Sequence, residues 1–593
     1  MRERIRSFLK ISGQKSVYLY SVVVGMLSGL MAGIFMLLLE KSSEYIQYIT
    51  SDLFLSHRIS SDGMNIEWSS KLLLIIFLPA LGGLLTGLLV HFLCREASGM
   101  GTDSMIYAFH HKEGQMSTRI PFIKSIATVI TLSTGGSGGK EGPISQIGAG
   151  FGSMVARLAQ AGARARRTLL LAGTAGGLGA VFHAPLGGAL TAAEMVYKED
   201  VESDALLPCV ISSSTAYLIN QTFFPKGTVF SLHSDISYSF KEFPFYFILG
   251  VLCFMGGKFF IQAFQIVQKW NETLKIPPYV KPAIGGLAVG VLAVFFPEAA
   301  GTGEKFIQKL LHGEFQEIFR TGHLFSILLF ILFFVLKTFS SALTIGTGGS
   351  AGVFGPSLYA GCMIGGVMAL VSSLVLGTKV SFAGYMLVGM GAFYSGVASA
   401  PIAGMIMTCE MVGSYYLLPP LMLVTIISFS LSNKFSIYKN QLLNRFASPA
   451  HFWDMNRDIM ENIYLKDLPS YFRKFAVLPK DTVIRDMESL ATEIQASDFI
   501  IVNPDNTYYG FVSLRKVKNL REESPFIGDL IILEELADTN VPCMSVHDTL
   551  KKTFDTILEY DVDKIAVQEN GQVLGYLRIS DLFRIYYKFI KKK

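Results

Sequence analysis

The sequence predicts an all-α, polytopic membrane domain built from two repeats and followed by an α/β soluble tail. Of the 593 residues, 51% are hydrophobic, and the mean hydropathy of +0.43 is typical of a membrane protein. A glycine-rich motif in the first half of the chain recurs in the second half. Charged residues make up about 12% of residues 1–445 but about 28% of residues 446–593, so the tail is predicted to begin near residue 446.

Apolar runs of two kinds make up the membrane domain. Runs long enough to cross a hydrocarbon core of about 30 Å lie near residues 17–40, 71–94, 205–224, 244–268, 279–297 and 323–343. Shorter or glycine-broken runs lie near residues 121–133, 144–158, 168–182, 185–198, 353–374, 380–398 and 401–416. Because open helix ends at membrane depth are tolerated only inside protein or beside a water-filled cavity, the broken helices are predicted to be buried.

Basic residues indicate the orientation of the chain. The basic start is followed by an apolar run too long for a secretory signal, so residues 17–40 are predicted to form the first spanning helix. Further basic clusters lie at 164–167 and 434–445. Since such clusters face the cytoplasm, both termini and the tail are predicted to be cytoplasmic.

The repeated motif is the most informative feature of the sequence. Residues 134–143 match residues 347–356 at an offset of 213, and residues 184–196 match residues 400–412 at an offset of 216. Paired segments interrupted by glycine and proline in the two halves of a membrane protein are typical of an ion site near the bilayer midplane.

Each copy of the motif predicts a helix N-terminus. Gly142-Pro143 and Gly355-Pro356 stand where a turn can open into a helix. A helix N-terminus presents free N–H groups and a partial positive charge, and so binds anions. Two such termini meeting at the repeat interface would bind an anion without a full positive charge, which suits an ion that must also leave.

Glu141 is the one carboxylate in this motif. In a soluble helix, an acid in the first turn usually interacts with the helix dipole. At membrane depth an ionisable side chain indicates function, and here it would compete with the anion, closing the site when charged and opening it when protonated or displaced. A P-loop is excluded because Thr134 and Glu141 stand where that motif needs glycine and Ser or Thr.

Other classes of function lack a signal. No basic stripe with interleaved aromatic residues suggests nucleic acid, and six scattered cysteines without CxxC spacing imply neither disulfides nor a metal site. The helices carry no nucleophile–base pair or metal-ligand spacing, so an enzyme is not expected. No cofactor is predicted to be required.

Four motifs together resemble the CLC family of chloride channels and chloride/proton exchangers. Gly139-Lys-Glu-Gly-Pro143 is similar to the family's G-[KR]-E-G-P, and Gly352-Val-Phe-Gly-Pro356 to its G-x-F-x-P. Gly99-Met-Gly101 lies where the family has G-S-G-I-P, and Ser436-Ile-Tyr438 resembles its last helix. The resemblance covers essentially the whole chain. It implies a homodimer, inverted repeats and one anion pathway in each subunit.

The resemblance also implies roles for individual residues. Glu141 resembles the gating glutamate, and the Tyr438 hydroxyl would donate to the central anion. The anion-binding positions carried over are Gly139, Gly142, Met100, Val353, Phe354 and Tyr438.

Two departures from the family pattern bear on the transported ion and on the mechanism. The family's central serine falls on Met100, with Ser98 as the alternative if the register slips, and a thioether cannot donate a hydrogen bond. A methionine there resembles the fluoride-exporting branch, whereas Pro143 and the large tail favour chloride. Glu194 is the structural glutamate by repeat matching, so Met195 occupies the position of the exchangers' proton-relay glutamate.

A methionine cannot relay a proton, so the sequence favours a passive chloride-selective channel gated by Glu141. The alternative is a chloride/proton or fluoride/proton antiporter in which Glu199, Asp200 or a water path replaces the missing acid. The expected partners are a second copy of the chain, chloride and other small anions, and the lipid bilayer. The expected location is a bacterial cell (inner) membrane.

The tail repeats at an offset of 65, so that residues 498–502 match residues 563–567. Each unit predicts a strand, a turn, a strand and a helix, and resembles one of two tandem CBS modules. Asp581 lies where nucleotide-binding CBS members place a ribose-binding acid, while the first module has Lys516 there. An adenine nucleotide is therefore the candidate ligand, with a purely structural dimerising role as the alternative.

The predicted domains follow from these patterns. The membrane domain spans 1–445, with repeats at about 70–225 and 280–430. The soluble tail spans 446–593, with modules at about 460–525 and 540–590.

Overall fold

The computed structural model divides the chain into two compact units, residues 1–450 and 451–593. It describes residues 14–54, 70–313 without 226 and 233–235, 323–451 without 379, 433 and 434, and 460–590 without 462, 474, 495, 496, 524–530 and 561. The basic N-terminal cluster at residues 2–10 and Lys434 of the last basic cluster therefore lie outside the described residues.

The described part of the first unit is mainly helical. Its described residues form sixteen α-helices: α1 (Gln14–Phe54), α2 (Ser70–Leu93), α3 (Thr102–His111), α4 (Ile120–Ser133), α5 (Glu141–Leu158), α6 (Ala163–Phe182), α7 (Pro185–Glu194), α8 (Ser203–Phe223), α9 (Phe243–Thr273), α10 (Lys281–Phe295), α11 (Glu304–Leu311), α12 (His323–Gly346), α13 (Phe354–Leu376), α14 (Phe382–Ala398), α15 (Pro401–Val412) and α16 (Leu418–Ser432). By length and composition, α1, α2, α9, α12 and α13 can each cross a membrane.

Two of the predicted apolar runs differ from the helices that form. The run at 279–297 was predicted to span the membrane, but α10 has only 15 residues because Pro282 stands at its start and Pro297 follows its end. The run at 353–374 was predicted to be short or broken, but α13 is a continuous helix of 23 residues.

The glycines in α13 do not break the helix because they serve helix packing. Gly361 of α13 lies so close to Gly389 of α14 that a Cβ on either would collide with the carbonyl oxygen of the other. Gly148 of α5 and Gly173 of α6 make the equivalent contact in the first repeat. Glycine lets two helix backbones touch, and this close packing compensates for its poor helix propensity.

Matched residues of the two repeats bond to one another reciprocally. The Ser137 backbone N–H donates to the Thr344 hydroxyl (2.9 Å), and the Ser350 N–H donates to the Thr131 hydroxyl (3.3 Å). Each partner lies 213 residues from its counterpart. A reciprocal exchange of this kind is a property of a twofold axis, so the repeats are related by a local twofold rotation.

Two glutamates form a second pair of reciprocal contacts between the repeats, at the starts of α7 and α15. The Glu194 carboxylate accepts from the Ala403 backbone N–H (2.7 Å), and the Glu410 carboxylate accepts from the Gly187 N–H (2.7 Å). Each acid thus caps the N-terminal helix end of the opposite repeat, where orphan N–H groups need acceptors. This contact gives Glu194 the structural role that its matching to Glu410 predicted.

The second unit is an α/β unit with two similar halves. Its strands are β1 (Ala476–Pro479), β2 (Asp498–Val502), β3 (Tyr508–Ser513), β4 (Cys543–Ser545), β5 (Lys564–Glu569) and β6 (Gln572–Arg578). Its helices are α17 (Ile484–Ile494), α18 (Leu514–Glu523), α19 (Leu533–Leu536), α20 (Leu550–Glu559) and α21 (Ile579–Ile590). Each half pairs its first two strands in parallel and its last two antiparallel, in the order β1-β2-β3 and β4-β5-β6.

A buried ion cluster joins the two halves of the tail. Asp498 of β2 is only 5% exposed and pairs with Lys564 of β5 (2.7 Å) and with Arg578 at the end of β6. Burial alone would raise the pKa of Asp498, but the hydrogen bonds and charges of the two cations outweigh burial and hold this pKa below its usual range.

We expect Asp498→Asn to destabilise the tail by about 2–3 kcal/mol, because it leaves two half-buried cations without their counter-ion. Hydrogen–deuterium exchange of tail peptides in the full-length protein would show faster exchange in both β2 and β5. Since the folded pKa of Asp498 is depressed, its contribution is present at neutral pH and is lost as the pH falls below about 4. The exposed Asp555→Asn is the matched control, and equal exchange in the two variants would contradict the assignment.

Candidate functional site

The two copies of the glycine-rich motif meet in the membrane domain. Gly139 and Gly352, which are matched at the offset of 213, form two reciprocal backbone hydrogen bonds of 2.7 Å. Two residues further on, Glu141 begins α5 and Phe354 begins α13. The N-termini of two long helices, one from each repeat, are therefore brought together at the twofold axis.

The Glu141 side chain folds back into this meeting point. It is 3% exposed, and its Oε2 lies so close to Gly139 that any Cβ there would collide with it. A Cβ built on Gly352 or Gly355 would lie 3.3 or 3.4 Å from a carboxylate oxygen of Glu141. The carboxylate thus fills a space that the glycines of both motif copies leave open.

Among the residues that the structure describes, the Glu141 carboxylate has no ionic partner. The carboxylate faces the backbone N–H groups of Gly355 and of Glu141 itself, but among the described residues neither oxygen makes a full hydrogen bond. A buried carboxylate without a counter-ion costs several kcal/mol, and the partial positive charge of the helix N-termini offsets part of that cost. Another anion could be held here by the same weak forces.

Lys140, although adjacent to Glu141, forms its ion pair elsewhere. Its Nζ contacts both carboxylate oxygens of Glu304, the first residue of α11, at 2.9 and 3.0 Å. The same ammonium lies 5.8 Å from the centre of the Phe182 ring. Its side chain is only 6% exposed, so the cation is fixed beside the meeting point and neutralised there.

Val353 and Phe354 lie at the start of α13, as the motif predicted. Both are buried, and Val353 is the N-cap residue of the helix. The Phe354 ring packs against Tyr394 (4.4 Å between ring centres) and Phe182 (5.1 Å). Tyr394, on α14, was not identified from the sequence because it belongs to no motif copy.

Met100 reaches the site through its backbone. A Cβ on Gly142 would collide with the Met100 carbonyl oxygen, whereas the Met100 side chain packs on the hydrophobic core. Ser98, the alternative in a shifted register, is exposed and directs its hydroxyl to the Gly348 carbonyl oxygen at 3.4 Å. Of these two side chains, neither donates a hydrogen bond at the meeting point.

Tyr438 approaches the site together with a threonine that the sequence analysis missed. Tyr438 is buried, and its hydroxyl faces the side chain of Thr102. Thr102 follows Gly101, and a Cβ on Gly101 would lie 2.5 Å from the Gly142 carbonyl oxygen. Its place directly after the Gly99-Met-Gly101 turn was the signal that could have identified it.

Two buried lysines were also missed, although they match at the repeat offset of 213. Lys124 of α4 donates to the carbonyl oxygens of Ala97 (3.0 Å) and Gly99 (2.7 Å). Lys337 of α12 donates to the Gly301 carbonyl oxygen at 2.7 Å. Each fully buried ammonium holds the loop that leads into a short helix, α3 or α11.

Pockets open on either side of the meeting point. A larger pocket of about 820 Å³ is lined by Ile75 near the start of α2 and by Lys140. A smaller pocket of about 430 Å³ is lined by Ser98, beyond the end of α2, and by Met100. At 1.5 Å per residue, the 24-residue α2 is about 36 Å long, so the pockets lie towards opposite faces of the membrane domain. Lys140, directly before Glu141, lines the larger pocket, and Met100, whose carbonyl oxygen lies against Gly142, lines the smaller one.

The proposed relay position contains no acid. Met195 is buried, and its carbonyl oxygen accepts from the Gln441 side chain at 3.1 Å. Asp200, one of the substitutes considered, accepts from the Arg445 backbone N–H at 3.1 Å, and Glu199 is exposed.

In the tail, Asp581 is paired within the protein. Its two oxygens accept from the Arg473 guanidinium at 2.6 and 2.9 Å, and Oδ2 also accepts from the Arg578 backbone N–H at 3.0 Å. Burial tends to raise the pKa of Asp581, but the Arg473 hydrogen bond and charge hold it below the usual range. Lys516 donates to the Leu536 carbonyl oxygen at 2.9 Å. A nucleotide ribose would have to displace Arg473.

Comparison with protein families agrees with this geometry. A family model described as "Voltage gated chloride channel" matches residues 82–433, more than half of the chain. The chain belongs to the CLC family. A CBS-domain model matches residues 533–588 of this CLC protein, which is its second tail module. The predicted family, the helical membrane domain and the α/β tail are confirmed.

Relatives and solved structures extend the comparison. The CLC chain is 28% identical over 373 residues to the voltage-gated ClC-type chloride channel ClcB of Escherichia coli, covering 61% of this chain and 85% of that one. It superposes on a slow cyanobacterial Cl⁻/H⁺ antiporter with a TM-score of 0.62 (20% identity, covering 72% and 97%) and on a eukaryotic CLC transporter with 0.57 (18%, covering 95% and 98%). The protein is thus a multi-pass CLC-family chloride transport protein and not an enzyme.

Proposed function

We propose that the protein is a passive chloride-selective channel gated by Glu141. The observation that carries this proposal is the position of the Glu141 carboxylate, which is buried between the N-termini of α5 and α13 with no ionic partner in the described part of the chain. A carboxylate held there by backbone N–H groups stands in for a transported anion. When it is charged and in place, it excludes chloride from the same space.

Opening requires the carboxylate to leave. Protonation removes its charge, and an incoming anion can then take the space beside the N–H groups of Val353 and Phe354. The hydroxyl groups of Tyr438 and Thr102 face each other beside the Gly101 turn that packs on Gly142, while the Met100 thioether cannot donate. Binding by dipoles instead of full charges keeps the anion mobile, as conduction requires.

The residue at the proton-relay position of the exchangers, Met195, favours passive conduction over proton-coupled exchange. Met195 is a buried thioether and cannot bind a proton there, and Asp200 is engaged with the linker before the tail. The alternative, an antiporter of chloride or fluoride for protons, is favoured by one contact. Glu202 is buried and accepts from the Tyr197 hydroxyl at 2.9 Å, so a second acid does lie near this end of α7.

Reconstitution in liposomes separates the two mechanisms. A chloride gradient is imposed while valinomycin and symmetric potassium hold the membrane voltage at zero, and external pH is recorded. We expect chloride to flow without uphill proton movement. A proton gradient built by chloride flux would overturn the channel proposal and establish the antiporter, and protein-free liposomes provide the baseline.

Several finer properties follow from the family resemblance and stay predictions. They are assembly as a homodimer, residence in a bacterial inner membrane with both termini cytoplasmic, and binding of an adenine nucleotide by the tail. The engagement of Asp581 by Arg473 supports the alternative of a structural tail.

A further inference from the structure

We infer that Glu304 sets the chloride affinity of the pathway by neutralising Lys140 at the mouth of the larger pocket. This inference rests on the proposed function, because it concerns the anion that Glu141 would admit. It assigns a role in anion affinity to a residue outside the glycine-rich motifs.

The contact between the two residues is close and geometrically fixed. Glu304 is the first residue of α11, and its N-cap Gly303 has a positive φ of 79° that turns the chain into the helix. Both Glu304 oxygens contact Lys140 Nζ, at 2.9 and 3.0 Å. Lys140 directly precedes Glu141, so the charge of this pair lies one residue from the proposed gate.

An anion entering from the larger pocket reaches this pair first. Lys140 and Glu304 both line that pocket, and the Glu304 side chain is 28% exposed to it. The other charged or titratable residues lining the pocket are Glu40, Glu44, Glu298, Lys305 and His183. Because acids outnumber basic residues in this lining, the net charge at the pocket mouth depends on whether Glu304 neutralises Lys140. That net charge determines whether the mouth attracts or repels an anion.

The repeat symmetry indicates that the fold does not require this ion pair. The residue matched to Lys140 in the second motif is Val353, and the residue matched to Glu304 after the corresponding glycine turn is Thr102. These matched positions, Val353 and Thr102, are therefore uncharged, although Gly101 has a positive φ of 80° like that of Gly303. The pair belongs to one mouth of the pathway only.

The test measures chloride binding to the full-length protein in detergent by isothermal titration calorimetry. It compares the wild type with the two single variants and the double variant of the Lys140–Glu304 pair. Glu304→Gln leaves Lys140 unpaired, and we expect the Kd for chloride to fall about tenfold, as for one unit charge several ångströms away at an intermediate dielectric constant. Lys140→Gln leaves Glu304 unpaired, and the Kd is expected to rise about tenfold. The double variant restores neutrality, and its Kd is expected within about threefold of the wild type.

Control variants show whether the ion pair acts through its charge or by holding α11 against the start of α5. Lys309→Gln changes the same charge on an exposed position of α11, outside the residues lining the pocket, and should leave the Kd within about twofold. If Glu304→Gln does not fold, Glu304→Thr replaces it in the test, because threonine stands at the matched position, Thr102. The Kd of this variant for chloride is likewise expected to fall about tenfold. Weaker binding in all three cycle variants, or equal binding in all, would overturn the inference. A wild type that binds no chloride would overturn the proposed function instead.

Discussion

Glu141→Gln is expected to leave the chloride pathway permanently open. The amide has nearly the shape of the carboxylate but carries no charge, so it no longer competes with an anion for the space at the N-termini of α5 and α13. Chloride flux at pH 7.5 should rise about tenfold or more, since a competitor worth 1.4 kcal/mol changes occupancy tenfold. The wild type should conduct more as the pH falls, because protonation releases Glu141. The variant should conduct equally at pH 4.5 and 7.5.

Flux from chloride-loaded liposomes measures both effects. Glu298→Gln is the matched control, because Glu298 lines the larger pocket and its replacement removes the same charge outside the meeting point. That control should keep the wild-type pH dependence. If Glu141→Gln instead leaves flux and its pH dependence unchanged, Glu141 is not the gate. If the variant loses an uphill proton movement that the wild type shows, the protein exchanges protons for chloride.

The position of Glu141 could be predicted because its causes are local in sequence. The glycines and proline of 134–143 and 347–356 determine where the chain turns and where a helix begins, and the common offset brings equivalent positions to the twofold axis. Glu194 was predictable for the same reason, since its partner Glu410 stands at the matched position.

The side chains that surround Glu141 could not be predicted in this way. Lys140 pairs with Glu304, which is 164 residues away in a segment that matches no part of the motif. Thr102 and Tyr394 reach the site because α3 and α14 pack beside it. Such contacts depend on how separate elements pack. Thr102 and Glu304 each follow a Gly-x-Gly turn, which marks their position in the sequence but not the side chain that each one meets.

The continuous helix α13 shows where a prediction from helix propensity alone is wrong. Helix propensity predicts breaks at its glycines, because each costs about 1 kcal/mol relative to alanine in a helix. Gly361 instead permits backbone contact with Gly389, and a buried helix gains more from that packing than its glycines lose. The spacing of glycines by four residues, at 361 and 365, indicates packing and not interruption.

Glu194→Ala is expected to destabilise the membrane domain by about 2–4 kcal/mol. The substitution leaves the backbone N–H groups of Ile402 and Ala403, which donate to Glu194 at 3.1 and 2.7 Å, without acceptors at the start of α15. Each buried N–H that loses its partner costs about 1–3 kcal/mol. Thermal unfolding of the detergent-solubilised protein, followed by size-exclusion chromatography, would show a lower midpoint. Glu410→Ala, its twofold equivalent, should act in the same direction but less, since Glu410 is more exposed.

The neighbouring substitution Met195→Leu makes this prediction specific. Met195 is buried beside Glu194 but donates no hydrogen bond from its side chain, so a leucine of similar volume should change stability by less than about 1.5 kcal/mol. If Glu194 only stabilises the fold, the chloride flux per folded molecule should be unchanged when the Glu194→Ala protein is assayed below its unfolding temperature. If that protein stays as stable as the wild type but loses coupled proton movement, Glu194 is a proton carrier. The absence of an acid at 195 would then no longer favour a passive channel.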